Sequence, residues 1–150
     1  MKVKFVFPIL IAIILGFLSA KVVYGLYNPN DSLTYNSYFL QWGVYSNKES
    51  LNNTLDTKQI DSYLIVEDDG KYYVYVGITT DEKIAKKIQK IYEEKDNNIY
   101  IKTMNLDNSE FYNNLEQYDV LLKGVSNAKD IISINKAILA SYEEMVLNNN

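Results

Sequence analysis

The chain has 150 residues, 47% of them hydrophobic, and its 15 basic residues are all lysines set against 19 acids, for a net charge of −4. It contains neither cysteine nor histidine, which excludes a disulfide framework, a thiol nucleophile, a Cys/His zinc site and a Ser–His–Asp triad. One modest domain with appendages fits this length.

Lys2 and Lys4 precede an uncharged run from Phe5 to Ala20, closed by Lys21 and then by Val22 to Tyr27. A membrane-spanning helix needs about 20 apolar residues. The run reaches that length when Lys21 snorkels to the interface. Residues 1–27 are therefore expected to be a membrane anchor or an uncleaved signal. A cleavable signal peptide stays open as the rival, although Leu18-Ser19-Ala20 is a weak cleavage site. The flanking lysines place the N-terminus in the cytoplasm and residues 28–150 outside the cell membrane. Abundant Asn, Lys, Ile and Tyr suggest an AT-rich, bacterial genome. Beyond Lys21 there are 12 lysines and 19 acids, so the exported part carries 12 − 19 = −7. That sign argues against nucleic-acid binding.

Residues 28–36, with Pro29 and three asparagines, read as a linker. "SYFLQWGVY" at 37–45 is a strand, and Ser46 or Asn47 can cap a helix over 48–59. "SYLIVE" at 62–67, "DDG" at 68–70 and "KYYVYVGI" at 71–78 form a hairpin with an Asp-Gly turn. Asp81 can cap a helix over 82–95, with Ile84, Ile88 and Ile91 on one face. "IYIKTM" at 99–104 is the last strand. The fold class is α+β, a βαββαβ ferredoxin-like four-stranded antiparallel sheet with helices on one face.

The remainder, 105–150, is a helical C-terminal extension. Phe111, Leu115 and Tyr118 make one stripe; Gly124 breaks the chain, Ser126 or Asn127 caps, and Ile131, Ile134, Ile138, Tyr142 and Met145 make a second. Such stripes serve internal packing. Two packings are open: against the helix side of the module, or across the sheet. The second is favoured, because apolar surface is there to be buried.

Strand side chains alternate between faces. Leu40, Trp42, Val44, Val74, Val76, Ile99 and Ile101 are expected on the helix side. Phe39, Gln41, Tyr73, Tyr75, Tyr100 and Lys102 then face the other way, and Phe39, Gln41, Tyr73 and Tyr75 form one exposed aromatic and amide patch. Gly43 and Gly77 read as bulges or close-packing points. An exposed patch of this kind fits a binding surface. Sugar rings stack on aromatics, and Gln41 or tyrosine hydroxyls bond sugar hydroxyls. The acidic "EDD" at 67–69 sits in a tight turn and suits a solvated hairpin, so no enzyme, metal or cofactor is expected.

Two elements carry a family resemblance: Leu40-Gln41-Trp42-Gly43-Val44-Tyr45-Ser46-Asn47, and Val74-Tyr75-Val76-Gly77-Ile78. Residues 37–104 resemble a SPOR domain, the small bacterial envelope module that binds peptidoglycan. Tyrosines stand where the family often has arginine, and the helical extension is not part of the module. The resemblance implies glycan-binding residues Phe39, Gln41, Ser46, Tyr73, Tyr75 and Tyr100, peptidoglycan glycan strands as partner, and a role in cell division or sporulation. The alternative is a protein–protein module of an envelope complex, with its sheet face covered by the C-terminal helices. An RNA-binding sheet of the same topology is disfavoured by the export signal, the negative charge and the lack of arginine.

Overall fold

The computed structural model of the chain describes residues 35–148. The expected anchor and most of the expected linker lie outside them. Among the described residues no helix is long and apolar enough to cross a membrane. The elements are β1 (Tyr35–Tyr45), α1 (Lys48–Thr57), β2 (Leu64–Asp68), β3 (Lys71–Thr79), α2 (Glu82–Glu93), β4 (Tyr100–Leu106), α3 (Ser109–Gly124) and α4 (Ala128–Asn148). The described residues form one compact unit.

Local chemistry sets most of these boundaries. Asn47, rather than Ser46, caps α1, its side chain accepting from Ser50 N at 2.8 Å. Asp81 caps α2 through Lys83 N and Ile84 N, and Asn108 caps α3 through Phe111 N. Asp69 and Gly70 both have positive φ, 48° and 69°, the twist that a two-residue hairpin turn between right-twisted strands requires. Strand β1 starts two residues earlier than expected, taking in Tyr35 and Asn36 from the linker segment.

All four strands are antiparallel in the order β2-β3-β1-β4, so β1 and β3 are central. The β1–β3 register shifts on both sides of Gln41. At Gly43, just past this bulge, a Cβ would lie 2.8 Å from the Tyr45 ring; the missing side chain makes room for that tyrosine.

Six consecutive residues of β3, Val74 to Thr79, are buried. Alternating side chains can all be buried only when both faces of a sheet are covered. Helix α2 contributes Ile84, Ala85, Ile88 and Tyr92 to the core. Tyr92 takes the place expected of Ile91, and burial pushes its hydroxyl pKa up. Helices α3 and α4 supply Phe111, Leu115, Leu122, Ile131, Ile134 and Ile138. Val44, expected in the core, is 41% exposed. The cover there is thin, since α1 buries only Leu51. Trp42 is half-buried, and its Nε1 donates to Asn97 Oδ1 at 3.2 Å.

Candidate functional site

The second face of the sheet carries the aromatic residues singled out by the sequence. Phe39 meets Tyr75 edge-on, with ring centroids 5.3 Å apart at 72°. Tyr75 stacks in parallel with Tyr73 at 6.5 Å and 9°, and its hydroxyl donates to Met104 Sδ at 3.9 Å. Lys102 Nζ lies 5.8 Å from the centre of the Tyr73 ring, within range of a cation–π contact. Alternation along β1, β3 and β4 thus brings Phe39, Tyr73, Tyr75 and Lys102 together.

The face is not open along its length. Tyr142 of α4 packs edge-on against Phe39 at 5.4 Å and also touches Phe111 of α3 at 5.3 Å. Phe39 is 0% exposed, and Gln41 and Tyr75 are each 6% exposed. The expected exposed patch of Phe39, Gln41, Tyr73 and Tyr75 is therefore closed at three of its four positions. The cause is the apolar stripes of the extension. Burial is worth about 25 cal/mol per Å² of apolar surface, and the aromatic face is the apolar surface within reach. Burial, with Tyr142, Tyr73 and Asp68 nearby, pushes the Tyr75 hydroxyl up to about 12.

The far end of the face stays accessible. Tyr73 is half-buried, Lys102 is exposed, and Tyr100, paired opposite Gln41, is 62% exposed. Ser46 is exposed and directly follows Tyr45, at the end of β1 that pairs with Tyr72 and Tyr73.

Two polar residues inside the tail stripes were not singled out by the sequence reading. Asp119 follows Phe111 and Leu115 at four-residue spacing and is buried. Its carboxylate accepts from Thr79 Oγ1 at 2.5 Å, Thr80 N at 2.8 Å and Thr80 Oγ1 at 2.6 Å. Burial raises its pKa, with the Thr79 and Thr80 hydrogen bonds opposing. One turn on, Lys123 pairs with Asp81 at 2.9 Å, and Lys87 donates to the carbonyls of Leu122 and Val125. The end of α3 is thus latched to the β3–α2 junction. The second residue, Asn135, sits between Ile134 and Ile138 on α4 and is wholly buried. A carboxylate or amide interrupting an apolar stripe at i+4 spacing was the signal available for both.

Fold and face together define an α+β module with a four-stranded antiparallel sheet, whose aromatic surface is half closed by the C-terminal helices. No protein-family model and no curated protein matches the chain. Among solved structures it is similar to the solution structure of the peptidoglycan binding domain of the B. subtilis cell wall lytic enzyme CwlC. The identity is 18% and the TM-score 0.39, over 51% of this chain and 99% of that one.

Proposed function

We propose that this chain is a non-catalytic, membrane-anchored protein of the bacterial envelope whose SPOR-like module binds peptidoglycan glycan strands, in cell division or sporulation. The observation that carries the reading is the accessible end of the aromatic face, where Lys102 lies over Tyr73 beside the stacked Tyr75, with Tyr100 exposed on the neighbouring strand. Aromatic faces take the C–H faces of pyranose rings, and hydroxyl and ammonium groups beside them bond the sugar oxygens. The exported part's negative charge suits a largely uncharged glycan better than a phosphate polymer.

A second reading is a protein-binding module of an envelope complex. It is favoured by the cover that α3 and α4 place over Phe39, Gln41 and Tyr75. A pull-down of residues 28–150 with purified peptidoglycan separates the two. Glycan binding predicts retention that increases when stem peptides are stripped and weakens in Tyr73→Ala. Absence of retention on both intact and stripped material would leave the protein-partner reading.

A further inference from the structure

We propose that α4 is a displaceable lid: it closes the sheet face by resting Asn135 on Gly77 and Tyr142 on Phe39, and it lifts about the 124–127 connection to present Phe39 and Tyr75 to a glycan strand. The inference rests on the glycan-binding reading for its ligand, and on the following contacts for the device itself.

The closed interface is apolar in its bulk and frustrated at its polar groups. Ile131, Ile134 and Ile138 of α4 are buried, as is Phe39 on the sheet. Between them the Asn135 amide lies against the backbone of β3. A Cβ added at Gly77 would stand 3.2 Å from Asn135 Oδ1 and 3.3 Å from Nδ2, so a side chain there would push the amide back by a few tenths of an ångström. Among the described residues neither Asn135 atom has a hydrogen-bond partner, and the buried Ser37 Oγ and Gln41 Oε1 have none either. Buried polar groups are normally satisfied, and each one left unmade opposes the closed state.

The two helices of the extension differ in this respect. Helix α3 is held by satisfied polar contacts: Asp119 to Thr79 and Thr80, Lys123 to Asp81, and Lys87 to the carbonyls of Leu122 and Val125. Those contacts end where the connection to α4 begins. Helix α4 is held by apolar contact around the unsatisfied Asn135 amide. Lifting it while α3 stays latched takes Tyr142 off Phe39 and returns the Asn135 amide to water, leaving Phe39 and Tyr75 as a stacking surface for a sugar ring. Because the ligand needs the open form, its apparent affinity scales with the open fraction.

Two substitutions outside the sugar-contacting set test this in the fragment 28–150, which contains all of the described compact unit, residues 35–148. Asn135→Leu replaces the amide with an apolar group of similar size, and Gly77→Ala places a methyl wedge beneath it. Asn135→Leu is expected to raise the urea midpoint, slow amide exchange in α4, and lower retention on stripped peptidoglycan on the order of tenfold. Gly77→Ala is expected to speed exchange in α4 ahead of α3 and β3, and to raise retention. If no form is retained but the exchange shifts occur, the lid stands and the glycan reading fails. If Asn135→Leu leaves midpoint and α4 exchange unchanged or weaker, the lid is overturned. Retention that ignores both substitutions while stability moves would overturn its gating role.

Discussion

Thr80 gives both of its donors to one oxygen of Asp119: its backbone N–H at 2.8 Å and its hydroxyl at 2.6 Å. The other oxygen takes the Thr79 hydroxyl at 2.5 Å. A strand end and a helix 40 residues away are joined by a carboxylate with no exposed surface to spare. Asp119→Ala strands these donors in the interior, and the expected loss is about 1.5–3 kcal/mol. Urea unfolding of residues 28–150 measures it. A loss under about 0.5 kcal/mol, the range of ordinary surface substitutions, would mean the latch is dispensable.

The same carboxyl sets a pH dependence. Burial holds the Asp119 pKa above its ordinary value in the folded protein. A raised acid favours the folded state while protonated, so this contribution is complete below the unfolded pKa of about 3.9. It is lost as pH rises through the folded value. Asp81 runs the opposite way: the hydrogen bond from Lys123 holds its pKa down, and its contribution is lost as pH falls. Comparison with Asp119→Asn cancels the Asp81 effect. Wild type should lose stability relative to Asp119→Asn as pH is raised from 4, and a gap that stays constant across the range would contradict the shift.

Tyr142 bridges the two halves of the aromatic cluster, contacting Phe39 of β1 and Phe111 of α3. Tyr142→Ala should destabilise the protein by an amount near the lower end of the roughly 3–5 kcal/mol seen for buried aromatics, since Tyr142 is half-buried. The near-ultraviolet circular dichroism of Phe39 and Tyr75 should change with it. Calorimetry showing an unaltered melting temperature would place the tail's hold on the sheet elsewhere.

Tyr100 offers the opposite case. It is the most exposed aromatic of the proposed binding end, at 62%, so Tyr100→Ala should alter stability by no more than about 0.5 kcal/mol. Binding to stripped peptidoglycan should nevertheless drop severalfold, because a stacking surface has been removed. Matched stability with undiminished retention would take Tyr100 out of the site.

The order βαββαβ, the Asp69-Gly70 turn and the Asp81 cap were legible because each depends on residues adjacent in the chain. Alternation marks a strand, a 3.6-residue stripe marks a helix, and positive φ favours glycine or aspartate at a tight turn. The aromatic set Phe39, Tyr73 and Tyr75 was legible for the same reason, as alternate positions on neighbouring strands. Which surface the extension would bury was left to three dimensions. An apolar stripe such as Ile131, Ile134 and Ile138 states that cover is needed, and the hydrophobic effect is non-directional. Only the tertiary structure therefore decided that Phe39 lies against Tyr142 of α4, that Val44 is left bare, and that Asp119 meets Thr79 and Thr80. These outcomes turn on shape and hydrogen-bond geometry between segments dozens of residues apart, where no local periodicity reaches.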